Sequence, residues 1–283
     1  MKWIYSLLIF VAVNAVSATP LENKIFKRAS VSDVATVGYA TLNGGTTGGR
    51  GGPTTTVTTL DALTSAVTGN SPKIVIISGK HTFPSTERTN SHTTLAPGTL
   101  TGNTVVKVAL NGIGLRVLSE SNVIIRNIKI SKVLASAGDA LGVQSASQVW
   151  LDHLDLSSDR DHDKDFYDGL LDITHGCTGV TVTNSKLYTH WKASLVFDDN
   201  NDGINTRDGA QLLVENNVWT GTDKPLYATD EGFAVSRGND FGPDGADTAP
   251  VGNFNTAPYS YTLLPTANVR ASVTASAGQT LTF

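Results

Sequence analysis

Four segments of the chain copy one six-residue pattern, and a chain that repeats a strand at near-regular intervals is confined to an architecture in which like units stack. The copies are Asn122–Asn127 (NVIIRN), Gln148–His153 (QVWLDH), Gly179–Asn184 (GVTVTN) and Gln211–Asn216 (QLLVEN), starting 26, 31 and 32 residues apart. Within each copy apolar and polar residues alternate, which marks short strands with one buried face. A recurrence of this length marks units that each bury the next one's face. No helical pattern of useful length separates the strands, so the expected fold is all-β, with coils of strand and turn wound into a parallel β-helix. The sixth position is Asn or His in every copy. Asn127, Asn184 and Asn216, with His153 among them, are expected to stack at one interior corner as a polar ladder, with ordinary turn asparagine as the alternative.

The flanks fit one elongated domain. Leu60, Leu63, Ala66 and Val67 follow helical spacing after Thr58 and Thr59, so a short N-terminal helix is expected to cap the open end of the stack. Ile74 to Ile77 reads as the first strand. Residues 81–100 show no periodicity and are expected to form an irregular insertion. From about Ala249 the chain reads as extended and polar, packed along the outside. Charged residues are 16% of the chain and glycine numbers 27, a balance of turn-rich β proteins. No block of one charge sign invites nucleic acid.

The amino terminus carries Lys2, an apolar run from Trp3 to Val13 and the small residues Val16, Ser17 and Ala18, the order of a secretory signal (1–18) cleaved after Ala18. The run is too short to span a bilayer. Residues 19–28, ending in Lys27 and Arg28, read as a propeptide, with a solvated charge pair as the alternative, leaving 29–283 as the mature domain. Without residues 1–28 the chain has 17 basic and 24 acidic groups, a net charge of −7, so an acidic ligand requires a local cationic site or a metal bridge. Cys177 is the only cysteine, which excludes an internal disulfide.

Gly44–Gly52 (GGTTGGRGG) lacks the lysine and hydroxyl residue of a phosphate loop and reads as a tight turn. The acidic segment Asp159–Asp168 (DRDHDKDFYD) fails as a calcium-hand loop, because Lys164 stands where glycine is needed and Leu170 where glutamate is needed. Asp159, Asp161, Asp163 and Asp165 are therefore read as solvated. Asp168 and Asp172 differ: they bracket Gly169, Leu170 and Leu171 at the start of a strand, and residues four apart on a strand share a face. Two carboxylates there repel unless a cation or proton joins them. Asp139 lies 29 residues before Asp168, about one coil, which places it beside the pair. Calcium takes about six to eight oxygens in uneven cages and suits three carboxylates with open positions. Trp150 reads as core, Trp191 as core or a sugar-stacking surface, and His153 and His190 as structural.

Val149–His153 (VWLDH), Tyr167–Ile173 (YDGLLDI), His190–Lys192 (HWK) and Asp202–Gly209 (DGINTRDG) closely resemble motifs of the secreted fungal pectate lyases of polysaccharide lyase family 1. The likeness runs from about Gly38 to Phe283. It implies a right-handed single-stranded parallel β-helix, an extracellular monomer with no membrane or nucleic-acid partner. By the same resemblance Asp139, Asp168 and Asp172 bind a Ca2+ cofactor and Lys192 contacts a substrate carboxylate. The implied reaction is calcium-dependent eliminative cleavage of (1→4)-α-D-galacturonan, or pectate.

In the family the base is an arginine within Arg-x-Pro-x-x-Arg, on the coil after the lysine. That motif does not occur in this chain, so no catalytic residue is assigned, and Arg207, which belongs to a different motif, does not inherit the role. After Val196 the chain passes almost directly to Asp202, as though a deletion had removed about 50 residues, or two coils. A smaller gap falls near Val108 and Ala109. Loss of both arginines is expected to cost on the order of 10³-fold in rate, so impaired activity is expected, and the alternative is a non-catalytic acidic-polysaccharide-binding protein on the same scaffold. A paired-acid glycosidase is disfavoured because the Asn-Thr-Asp, Gly-His-Gly and Arg-Ile-Lys signatures of hydrolases with this architecture are missing. Pectin lyases, acting on methyl esters, lack the calcium acids.

Overall fold

The computed structural model describes residues 28–82, 92–94, 98–102, 108–192 and 200–283; the expected signal and nearly all of the propeptide lie outside the described residues. Three parallel sheets run side by side, each complete coil lending one strand to each. The first sheet contains β1 (Thr54–Val57), β2 (Ile74–Ile77), β5 (Gly98–Gly102), β8 (Ser121–Arg126), β11 (Ser147–Asp152) and β14 (Thr178–Thr183). The second contains β3 (Lys80–Thr82), β6 (Ala109–Asn111), β9 (Lys129–Ser131), β12 (Asp155–Ser157) and β15 (Lys186–Tyr188). The third contains β4 (His92–Thr94), β7 (Gly114–Leu118), β10 (Leu141–Gln144) and β13 (Leu171–Thr174).

Sequence alternation becomes a row-by-row core. Val123, Val149 and Val180 are register partners, as are Ile125, Leu151 and Val182, and all six belong to or pack against one core cluster. Leu115, Leu141 and Leu171 form the matching row of the third sheet, and Ile130, Leu156 and Leu187 that of the second. The sixth position of each copy proves to be a backbone device. Asn127, His153, Asn184 and Asn216 all adopt left-handed conformations, with φ of 55°, 54°, 48° and 52°, a region that asparagine tolerates better than most residues. The side chains then take different partners. Asn127 Oδ1 accepts from the Leu281 amide, Asn184 Nδ2 donates to Asp152, and Asn216 Nδ2 donates to the Leu264 carbonyl.

The fourth copy departs from the stack. It forms β18 (Gln211–Glu215), which pairs with β20 (Phe233–Arg237) in a separate two-stranded sheet. Beside it β16 (His190–Lys192), β17 (Asn200–Thr206) and β19 (Lys224–Ala228) form a three-stranded sheet. These C-terminal coils enclose their own small core of Ile204, Val214, Trp219, Leu226 and Ala234.

The helix expected at the N-terminal end is α1 (Leu60–Ala66), capped by the Thr59 hydroxyl, which accepts from the Ala62 amide, with Leu63 and Val67 closing the core. Within residues 81–100, expected to be irregular, β4 pairs with β7, and β5 pairs with both β2 and β8, placing Leu100 in the core. The C-terminal region, expected to be extended, contains α2 (Thr266–Ser276), a helix with no buried residue. After it, Gln279 Nε2 donates to the Val108 and Asn127 carbonyls and fastens the tail to a corner of the stack.

Trp150 is buried, on the outer face of the first sheet, against Ile124, Ala35 and Ala40 of the N-terminal arm. Beneath that arm Arg126 pairs with Asp152 at 3.0 Å and lies over the Trp150 ring. Left-handed corners set the register, and Ser119 is an exposed one, with φ of 56° and its amide bonded to the Gln144 carbonyl on the next rung. Ser119→Val should cost about 1–2 kcal/mol in urea unfolding while Ser119→Gly is tolerated; equal stability of the two variants would contradict this assignment.

Candidate active site

The outer face of the third sheet carries Arg116, Gly142 and Asp172 as register partners on β7, β10 and β13. Their neighbours Leu115, Val117, Leu141, Val143 and Leu171 turn into the core, so this row faces outward. Asp139 joins it from the turn after the short 3-10 helix Ala135–Ala137, whose position is fixed by the Ala140 amide bonding to the Gly169 carbonyl. A methyl group at Gly169 would lie 2.7 Å from Asp139 Oδ1 and 3.1 Å from Asp172 Oδ1. The two carboxylates therefore converge over a residue that leaves them room. Asp168 flanks them and is bonded to Lys192 Nζ at 3.3 Å, so all four residues singled out from the sequence stand together.

Crowding shows in the proton affinities. Asp139 is pushed up to about 7, by burial first and then by the charges of Asp172 and Asp168. Asp172 is raised by burial and by Asp168, with Lys192 and Arg207 opposing. Among the described residues no three His, Cys, Asp or Glu side chains close into a finished metal cage. Asp168 is turned toward Lys192. A divalent cation, like a proton, would relieve the repulsion, and hard carboxylate oxygens with open positions fit calcium.

The loop before β13 is more organised than its charge suggests. Asp159 accepts from Lys132 at 2.8 Å, His162 at 2.9 Å and the Tyr167 hydroxyl at 2.9 Å; burial pushes its pKa up, but these bonds carry it well below the usual carboxylate range. It is thus the hub of the loop rather than a solvated acid, whereas Asp161, Asp163 and Asp165 are exposed. Trp191 anchors the same loop by donating to the His162 carbonyl, with Arg160 over its ring. His190 is fully buried beside the Ser158 hydroxyl and is lowered to about 4 by burial, which fits its structural reading. His153 stands 2.8 Å from the buried Asp152.

Two arginines near the acids went unassigned or were set aside in the sequence. Arg207 sends its charge to Asp172, yet Asp230 binds it through Nη2 at 2.9 Å and Nε at 3.2 Å and raises its pKa, the opposite of what a base requires. Arg116 sits in the Asp172 row; its only sequence signal is a lone charge between Leu115 and Val117.

A family model described as pectate lyase matches residues 14–226. The chain is 44% identical to pectate lyase A of Aspergillus niger, covering 100% of this chain and 99% of that protein. Their alignment has 326 positions against 283 residues here, so at least 43 positions have no counterpart in this chain. Among solved structures, pectate lyase Bsp165PelA from Bacillus sp. N165, in complex with trigalacturonate, superposes with a TM-score of 0.69 at 24% identity, covering 86% of this chain and 98% of that one. Pectate lyase C from Erwinia chrysanthemi, at pH 9.5 with 30 mM Ca2+, gives 0.66 at 17% identity, covering 87% and 96%. At these identities the structural likeness establishes the parallel β-helix fold.

A carboxyl whose folded pKa, about 7, exceeds its ordinary value of 3.8 holds its proton more tightly in the folded chain. With chelator present, stability from this group should be greatest below pH ~4 and decline as pH rises through about 7. Denaturant titration of Asp139→Asn should lose that decline, and an unchanged pH profile would contradict the crowding at Asp139.

Proposed function

The chain belongs to the pectate lyase family, and from that premise we propose that it is a secreted, calcium-dependent enzyme that cleaves pectate by elimination at the Asp139, Asp168, Asp172 and Lys192 cluster. The convergence of Asp139 and Asp172 over Gly169 carries this reading. The three aspartates would hold the ion through carboxylate oxygens, leaving positions open for a uronate. Bound there, calcium would neutralise the uronate carboxylate and make the adjacent carbon–hydrogen bond more acidic. Lys192, already facing this cluster, would exchange Asp168 for a substrate carboxylate and orient the sugar.

The base is the unusual part. Arg-x-Pro-x-x-Arg is missing, Arg207 is tied to Asp230, and His190 is fully buried. Solvent hydroxide would therefore remove the proton, the released electron pair forming the new carbon–carbon double bond as the glycosidic oxygen departs and takes a proton from water. We place the shortened stretch between Lys192 and Asp202. In support, β17 pairs directly with β16, setting Asp202 beside Lys192, whereas the third sheet ends at β13. The family match lends no support to a non-catalytic polysaccharide-binding protein.

Purified protein with polygalacturonate should give a calcium-dependent rise in the ultraviolet absorbance of the unsaturated product, abolished by chelator. Below saturation the rate should climb roughly tenfold per pH unit through the alkaline range, as for a hydroxide reaction. A flat trace with calcium present would contradict the function, and a bell-shaped profile would contradict hydroxide as base.

A further inference from the structure

We propose that Arg116 is a second docking point for a substrate carboxylate, on the opposite side of the acidic cluster from Lys192, and thus a specificity-determining residue that selects chains of several uronates. The inference rests on the reading of the site as a pectate-binding centre and adds a contact to it. Arg116 lies two rungs before Asp172 in the same outward row, with Gly142 between them. Rungs are about 4.8 Å apart, so the two backbones stand about 10 Å from each other along the stack.

Its head leans toward the acids. A methyl group at Gly138 would lie 3.2 Å from Arg116 Nη2, and one at Gly142 would lie 3.9 Å from both Arg116 Nε and Asp139 Oδ2. Two glycines thus leave room for the guanidinium beside the Asp139 carboxylate. Among the described residues it has neither a hydrogen-bond nor an ion-pair partner, although carboxylate Asp139 is near. A half-buried guanidinium whose donors meet no acceptor among the described residues is suited to bind a carboxylate through two parallel hydrogen bonds. In a chain of net charge −7 without residues 1–28, such a group supplies local attraction that the overall field denies to an acidic polymer. Lys192 on the C-terminal side and Arg116 on the N-terminal side then bracket the acids, and a ligand reaching both must present more than one carboxylate.

Calorimetry on the full protein with calcium tests this, using galacturonate monomer and hexagalacturonate as probes. Arg116→Met should weaken hexagalacturonate binding about tenfold or more, as for loss of a charge-assisted bond, leave the monomer unaffected, and keep the circular dichroism and melting temperature of the parent. Arg116→Lys, which preserves charge without the fork, should recover part of the loss and guards against a folding defect in the methionine variant. If the parent binds hexagalacturonate and Arg116→Met binds it equally well, altering only calcium affinity, then Arg116 merely balances Asp139 and the proposal falls while the function stands. If the parent binds no oligogalacturonate with calcium present, the functional reading falls and this inference with it.

Discussion

Register between neighbouring coils is the constraint on which the rest of the molecule depends. A slip of one residue would turn every inward valine and leucine of a strand to the outside. Hydrophobic rows prevent it by stacking Val123 on Val149 on Val180, and left-handed corners at Asn127, His153 and Asn184 end each strand at the same place. The third sheet inherits that register. Arg116, Gly142 and Asp172 come into one line because Leu115, Leu141 and Leu171 are in one line behind them.

On that frame the chain assembles something that opposes folding. Asp139 and Asp172 are brought together over Gly169, with Asp168 beside them, in a partly buried position where charge is poorly solvated. Such an arrangement costs stability unless a proton or cation is present, and it persists because the surrounding rungs dictate it. Functional sites commonly carry strain of this kind. Positive groups surround the acids without cancelling them: Lys192 pairs with Asp168, Arg207 is committed to Asp230, and Arg116 stands alongside.

Much of this was legible in the sequence where the signal was local. Period-two alternation gave the strands and their register, and the spacing of about one coil between Asp139 and the Asp168–Asp172 pair placed them together. What escaped depended on partners distant in the chain. The fourth copy has the right pattern, yet β18 pairs with the later strand β20 in a sheet of its own, a partnership that the local pattern does not encode. Helix α2 buries no side chain and so leaves no amphipathic trace. Asp159 looks solvated in sequence because Lys132 comes from another coil. Arg116 is one charge in an apolar strand until the stack sets it in the row of Asp172.

In the proposed site the three aspartates share one calcium ion. A crystal structure of the calcium-soaked protein, with the anomalous signal of the metal, tests it directly. A single ion is expected, with carboxylate oxygens of Asp139, Asp168 and Asp172 at about 2.3–2.6 Å and Lys192 turned from Asp168 toward the open side. An ion bound elsewhere, or one that leaves Asp139 unligated, would contradict it.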